Sequence, residues 1–178
     1  MHNLVPGNQL TVRGPIPGYT WQASSTPRDV IFVAGGAGIT PLYSLAREAL
    51  KDERDRTRIH LLWGVNGERD IVLREELARL QERYPERFDV RFFVSNGEVG
   101  VGSAATTTTM QQREKGYIDA VALRSAMERC EGSGGSLLGD AKGTKVFFCG
   151  PPGMQEKIVG KKGVLSELGV GKKEVYAW

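Results

Sequence analysis

Apolar residues follow two alternating patterns along the chain. Continuous apolar runs rich in β-branched residues, typical of buried parallel strands, alternate with stretches in which apolar residues recur at helical spacing. The predicted strands are Val30–Ala34, Arg58–Trp63, Asp89–Val94, Lys145–Cys149 and Glu174–Ala177. Helices are predicted after Pro41, over Leu73–Tyr84 and Asp119–Arg129, and from about Pro152. Strands joined by helical crossovers predict an α/β fold with a doubly wound, five-stranded parallel sheet.

Three stretches fall outside this alternation. Ser95–Lys115 and Glu131–Gly143 are glycine-rich and have no hydrophobic period, so we predict two mobile surface loops. Near the N-terminus, Leu10–Arg13 is strand-like, and Gly14–Gly18 then interrupts it. We predict that residues 1–22 carry the terminal strand of a neighbouring β domain, and that residues 23–178 form the α/β domain.

Composition and charge exclude several classes of protein. The 178 residues are 40% hydrophobic and 25% charged, which suits one globular core. The longest apolar runs are far shorter than the ~20 residues that span a bilayer, so we predict no membrane span. The net charge of +3 comes from interleaved charges, and we expect no nucleic-acid partner. The lysines near the C-terminus form a solvated face or, alternatively, a docking site for an acidic partner; they are Lys161, Lys162, Lys172 and Lys173.

Cysteine and histidine are scarce. Cys130 and Cys149 are too few for a disulfide framework or a four-cysteine zinc site. His2 and His60 lie far apart in the sequence, so we expect no metal site and no histidine-based triad. We predict a structural role for both histidines.

A glycine-rich turn follows the first predicted strand. Gly36 and Gly38 let the backbone approach a ligand, and the helix start that follows offers free N–H groups to an anion. Thr40 suits the N-cap of this helix, and Pro41 suits its first position. Pro41 stands where a dinucleotide fingerprint has its third glycine, and tight turns also use glycine for steric reasons. Taken alone, the turn is compatible with a phosphate site or with a purely structural turn.

A second motif, Cys149–Met154, follows the fourth predicted strand and should open onto the same crevice. Gly150 leaves room for a flat ligand, and Pro151 and Pro152 make the turn rigid. Cys149 has two other interpretations, a nucleophile or a buried thiol that packs like alanine. No histidine neighbours it in the sequence to act as a base.

Together these motifs resemble a known family. The order Val12–Pro15, Ala34–Pro41 and Cys149–Met154 is similar to the ferredoxin–NADP reductase superfamily, in its cytochrome b5 reductase and nitrate-reductase flavin branch. The resemblance covers Leu4–Trp178 apart from the two glycine-rich loops. It implies the nicotinamide-binding half of a longer flavoprotein, in which residues 1–22 would be a short remnant of the FAD-binding β barrel. The flavin motif R-x-Y-[ST] does not occur in this sequence, so FAD would be bound by the barrel of the full-length protein.

The resemblance also implies roles for individual residues. The diphosphate and the nicotinamide ribose would lie on the turn formed by Gly35, Gly36, Ala37, Gly38, Thr40 and Pro41. The nicotinamide would lie between Cys149, Gly150, Pro151, Pro152 and Met154, and the residues given catalytic roles are Cys149 and Thr40. Ala37 stands where many relatives have threonine or a larger residue. Trp178 would lie near the flavin face, or it packs as an ordinary aromatic at a strand end. Gly116–Ile118 resembles a segment that precedes a helix in relatives, where its role is packing.

Cofactor preference depends on Asn66–Arg74, which resembles the segment after strand two in NADH-using relatives. Asp70 would repel the 2′-phosphate of NADPH, and Asn66 could bond a ribose hydroxyl. Arg69 and Arg74 could instead bind that phosphate, or they are solvated charges at a helix start. The prediction is NADH rather than NADPH.

The resemblance implies hydride transfer from NADH to FAD, and then one-electron transfer to a haem or iron–sulfur acceptor. The alternative is a non-catalytic nucleotide-sensing or assembly module that kept the fold. Gly163–Gly169 followed by Val175-Tyr176 is similar to fungal mitochondrial relatives, so we expect an intracellular, mitochondrial location. A P-loop NTPase is excluded, because the chain contains no G-x-x-x-x-G-K-[ST].

Overall fold

The computed structural model describes residues 5–9, 11, 18–23, 29–96, 112–131 and 144–178. In these ranges the strands are β1 (Asp29–Gly35), β2 (Arg58–Val65), β3 (Phe88–Val94), β4 (Gln112–Lys115), β5 (Lys145–Cys149) and β6 (Val175–Ala177). The helices are α1 (Ile39–Lys51), α2 (Arg74–Arg83), α3 (Ala120–Glu131), α4 (Pro152–Val159) and α5 (Val164–Glu167). Short 3₁₀ turns lie at Gly36–Gly38, Glu68–Asp70 and Lys172–Glu174.

All neighbouring strands are parallel, in the order β4-β3-β2-β1-β5-β6. The predicted doubly wound parallel sheet is therefore confirmed. The chain builds outward from β1 to β4 and then returns to the other side of β1, so the strand order reverses between β1 and β5. In open α/β sheets, ligands bind outside the carboxyl ends of the strands at this point of reversal.

The count of five strands was wrong, because a sixth strand lies in the stretch predicted as the loop Ser95–Lys115. Strand β4 pairs with the end of β3, from Arg91 opposite Gln112 to Val94 opposite Lys115. Its sequence, Gln-Arg-Glu-Lys, is wholly polar because β4 lies at the edge of the sheet. An ion pair of 2.7 Å between Arg91 Nη2 and Glu114 Oε1 ties it to β3. Such an edge strand gives no apolar signal.

The start of α1 also differs from the prediction. The helix begins at Ile39, so Thr40 and Pro41 lie inside its first turn and Thr40 is not the N-cap. The reason is that the 3₁₀ turn Gly36–Gly38 runs directly into the helix. Within the junction, the Thr40 hydroxyl donates a hydrogen bond to the Ala37 carbonyl at 3.0 Å. The predicted N-terminal strand Leu10–Arg13 and the second glycine-rich loop lie almost wholly outside the described residues.

Two hydrophobic cores cover the two faces of the sheet. Strand β1 is buried along its whole length, and alternate residues face opposite cores. On one face, Phe32 and Trp63 pack with α1 and α2. On the other, Ile31 and Leu62 pack with α3, α4 and α5. With both faces covered, ligand access is left to the ends of the strands.

Candidate functional site

The two motif loops leave the sheet side by side. Ala34 of β1 and Cys149 of β5 are register partners, so Gly35–Gly38 and the segment after Cys149 start from adjacent positions. A Cβ added to Gly38 would overlap the Cys149 carbonyl, and one added to Gly35 would lie 2.5 Å from Met154 Sδ. Gly35 and Gly38 are therefore needed for the close approach of the two loops to each other.

Gly36 has a different role from these neighbours. Its φ of +51° is in the left-handed region that favours glycine, and an added Cβ would meet nothing within 4 Å. Its carbonyl accepts a hydrogen bond of 2.9 Å from the indole N–H of Trp63 on β2. The turn therefore faces open space on one side and is anchored to the sheet on the other.

A cavity of about 1130 Å³ opens at the carboxyl ends of the strands beside this turn. The predicted site residues that line it are Gly35, Gly36, Ala37, Thr40, Asn66, Asp70, Pro151 and Met154. They come from the segments after β1, β2 and β5, which the sequence pattern placed at one edge of the sheet. The structure therefore brings these eight residues together.

The other predicted site residues do not line this cavity; they are Gly38, Pro41, Cys149, Gly150, Pro152 and Trp178. Gly38 and Gly150 are packed where the two loops touch. Cys149 is partly buried against the core that contains Phe147. The Trp178 ring lies 6.3 Å from that of Phe147 and is 41% exposed. The predicted site is thus divided between the cavity and the surface around Cys149 and Trp178.

Asn66 and Asp70 are held in place on the far side of the cavity from β5. Asp70 Oδ2 accepts the Gly67 N–H at 2.9 Å and closes the 3₁₀ turn Glu68–Asp70. The Asn66 carbonyl accepts the Asn96 N–H at 2.7 Å. Both residues are fixed through these local bonds and still line the cavity, so they present an amide and a carboxylate to a ligand there.

The two arginines that could favour a 2′-phosphate differ in position. Arg74 Nη2 lies 2.6 Å from Glu68 Oε2 and does not line the cavity. Arg69 does line it. Of the two arginines, Arg69 is therefore the one placed to contact a ligand in the cavity, whose wall also includes Lys157 and Lys162.

Sequence reasoning missed several residues of the cavity wall. Tyr117 is 77% exposed and Val72 is 73% exposed, and together they supply exposed apolar surface. Ile118, by contrast, is buried, so the predicted packing role of Gly116–Ile118 holds for that residue. Trp63 was assigned only to a strand. One signal was available, because a tryptophan at the end of a buried strand brings an N–H that needs an acceptor.

The Cys149 thiol is neutral at physiological pH. Burial raises its pKa, and the thiolate is the nucleophilic form of cysteine. This environment argues against the cysteine-nucleophile interpretation. It suits a small uncharged side chain beside a flat ligand.

A second cluster of polar groups lies at the opposite end of the sheet. The potential ligand atoms of Asp29, His60 and Cys130 all lie within 4.8 Å of one another. Arg58 Nε, however, lies 2.7 Å from Asp29 Oδ1, and the His60 ring lies between Asp29 and Asp89. Burial lowers the pKa of His60, but hydrogen bonds to the two aspartates and Cys130 outweigh it and raise the pKa to about 11. Asp29, Arg58 and His60 therefore belong to one ion-pair network, which Asp89 extends.

Two known proteins are similar in sequence to nearly the whole chain. The chain is 34% identical over 99% of its length to NADH-cytochrome b5 reductase 2 of Pyricularia oryzae, and 34% identical over 99% to that of Emericella nidulans. It spans 50% and 52% of the length of these relatives, about half of each.

Solved structures show the same fold. The cytochrome b5 reductase domain of Ulva prolifera nitrate reductase matches 85% of this chain and 50% of its own, with 25% identity and a TM-score of 0.65. The CS-b5R domains of human Ncb5or, in the NAD+ form, match 92% of this chain and 40% of their own, with 22% identity and a TM-score of 0.68.

In the described ranges, no helix has both the length and the apolar character needed to cross a bilayer. The model of the oxidoreductase NAD-binding domain matches residues 32–160, which include the end of β1, all of β5 and both motif loops. The chain therefore belongs to the oxidoreductase NAD-binding domain family.

Proposed function

We propose that this chain binds NADH across the carboxyl edge of its sheet and presents the nicotinamide to FAD held by another domain of a longer protein. The observation that carries this proposal is the packing of the glycine turn against the segment after Cys149, directly beside the cavity. The named relatives, NADH-cytochrome b5 reductases, are about twice as long as this chain, which leaves room for a flavin domain. By analogy with their name, the final acceptor is a haem protein of the cytochrome b5 type.

The residues around the cavity fit a dinucleotide. The turn Gly36–Gly38 and the start of α1 offer backbone N–H groups and the positive end of the helix dipole to a diphosphate. Asn66 and Asp70 offer hydrogen-bonding groups to a ribose. Val72 and Tyr117 offer exposed apolar surface to an adenine ring. The diphosphate, a ribose and the adenine of NADH thus have matching chemistry on the cavity wall.

When bound, NADH supplies a hydride, and the task of the protein is to position it. Met154 and Pro151 line the cavity next to the glycine turn, whereas Cys149 does not line it. Hydride transfer needs no general acid or base at this site, which agrees with a neutral thiol and with His60 lying at the far end of the sheet. The side chains named here orient the ring and limit its movement.

Specificity for NADH over NADPH is the first test. Isothermal titration of the 178-residue chain should give a dissociation constant for NADH at least roughly tenfold below that for NADPH, because Asp70 repels a 2′-phosphate. Asp70→Asn should reduce this ratio, mainly through tighter NADPH binding.

Glu75→Gln is the matched control, because Glu75 is an exposed acidic residue on α2 that pairs with Arg79 and does not line the cavity. It should leave the ratio unchanged. Equal affinities for the two nucleotides would contradict the preference for NADH. Failure of the native chain to bind either nucleotide would contradict the proposed function itself.

A further inference from the structure

Trp63 links the glycine turn to the body of the sheet. Its side chain is 1% exposed and packs at 5.9 Å, ring to ring, against Phe92 of β3. Its indole N–H donates to the Gly36 carbonyl at 2.9 Å. The other donor to this carbonyl, the Ile39 N–H, belongs to the turn and closes it locally. Of these two hydrogen bonds to the Gly36 carbonyl, the one from the indole therefore fixes the orientation of the turn relative to β2.

The Gly36 carbonyl belongs to the same peptide unit as the Ala37 N–H. In a trans peptide these two groups point in opposite directions. Because the carbonyl points inward to a buried indole, the N–H points outward, and Ala37 is an exposed residue of the cavity wall. Ala37 has no polar side chain, so this N–H is the hydrogen-bond donor that it can offer to a ligand.

We propose that Trp63 is a positioning residue for nucleotide binding, which holds the Gly36–Ala37 peptide so that the Ala37 N–H faces the diphosphate. The inference rests on the proposed function and deepens it. Gly36 lies at positive φ and has no side chain that restricts rotation of its backbone. An anchor from outside the turn is therefore needed to hold this peptide in one orientation. The indole supplies that restriction from the neighbouring strand.

The test is Trp63→Phe, which keeps an aromatic ring in the core and removes the N–H donor. Titrations would use NADH, ADP and adenosine, because ADP retains the diphosphate and adenosine lacks it. We expect the dissociation constants for NADH and ADP to rise roughly fivefold, the effect of one lost hydrogen bond, and that for adenosine to stay unchanged. A purely structural role would change binding of all three ligands together.

Trp21→Phe is the matched control. Trp21 also donates its indole N–H to a protein oxygen, Asp55 Oδ2 at 2.7 Å, but it does not line the cavity. This variant should lose some stability and show no difference between ADP and adenosine. Equal weakening of all three ligands by Trp63→Phe, or no weakening, would overturn the inference while NADH binding by the native chain still supported the proposed function. Absence of NADH binding by the native chain would overturn both.

A second measurement applies if Trp63→Phe does not fold. In the native chain, the amide NMR signal of Ala37 should shift when ADP is added and should stay in place with adenosine. If the Ala37 signal does not shift with ADP, or shifts equally with ADP and adenosine, the inference is overturned.

Discussion

The two ends of this sheet differ in structure: one borders an open cavity, and the other holds paired charges. At the carboxyl end, glycines bring two loops together beside a large cavity, whose wall includes the charged side chains of Arg69, Asp70 and Lys157. At the amino end, Asp29, Arg58, His60, Asp89 and Arg129 form an ion-pair network around the first residues of the strands. One end is left open for a ligand, whereas charges at the other end are matched within the protein.

The difference shows that a group of titratable residues is not by itself evidence of a functional site. The amino-end cluster contains the His–Asp–Cys combination that usually attracts attention, yet each of its aspartates has a basic partner. The carboxyl end is marked instead by glycines whose substitution would close a gap or strain a turn. We therefore expect substitutions at the amino end to change stability and those at the carboxyl end to change binding.

The largest expected effect is on the amino end. Asp29→Asn removes a fully buried carboxylate that pairs with Arg58 and His60, and it should lower the free energy of unfolding by about 3 kcal/mol. NADH affinity of the folded protein should not change. Urea denaturation and titration would measure the two quantities. The control is Glu48→Gln, which breaks an exposed pair with Lys51 and should cost less than about 1 kcal/mol.

A similar loss in both variants would show that the amino-end network contributes no more than a surface ion pair. A loss of NADH affinity in Asp29→Asn would show that the two ends of the sheet are coupled. It would contradict the expectation that substitutions at the amino end change stability alone.

The next effect concerns the carboxyl end. Gly38→Ala places a Cβ against the Cys149 carbonyl, which forces the two loops apart; we expect a stability loss of about 2 kcal/mol and at least a tenfold loss of NADH affinity. Gly18→Ala is the control, because Gly18 does not line the cavity and an added Cβ there makes only an ordinary contact, 3.4 Å from the Tyr176 hydroxyl oxygen. Unchanged NADH binding by a folded Gly38→Ala protein would show that contact between the loops does not shape the nucleotide site.

The smallest expected effect is a pH dependence. The pKa of His60 is about 11 in the folded chain, against an ordinary value of 6.5, so between these values the folded state binds one more proton than the unfolded state. The resulting stability is complete below pH 6.5 and is lost as pH rises towards 11. Over the single unit from pH 7 to 8, the free energy of unfolding of the native chain should therefore fall by about 1 kcal/mol.

His60→Gln has no proton to bind in this range, so its stability should vary much less with pH. Urea denaturation at several pH values would compare the two proteins. Equal slopes in the native chain and the variant would show that His60 does not hold its proton in the folded state.

Much of the fold could be predicted because its signals are local. Runs such as Val30–Ala34 and Lys145–Cys149 are apolar because both faces of the sheet are covered, and they appear as strands close to their predicted bounds. Strand β4 could not be predicted, since its pairing depends on the distant β3. The N-cap at Thr40 was wrong for a related reason, because the preceding 3₁₀ turn depends on contacts of Gly38 with another loop.

The candidate site was predictable in part. Parallel strands bring their carboxyl ends to one edge, so Asn66, Asp70 and Met154 could be expected beside the glycine turn. Position along the sequence does not say which residues line a cavity and which pack beneath it. For that reason Cys149 and Trp178 were grouped with the others, and Tyr117 was not recognised as part of the wall.

The contact between Gly38 and the Cys149 backbone has a consequence for protein engineering. Each loop packs directly against the backbone of the other, so the shape of one motif depends on the other. The two motifs are nevertheless more than one hundred residues apart in the chain. In a chimera that takes its glycine turn from one relative and its cysteine segment from another, the two loops should no longer fit together at the carboxyl end of the sheet. Transfer of the glycine turn between relatives should then preserve NADH binding only when the cysteine segment is transferred with it.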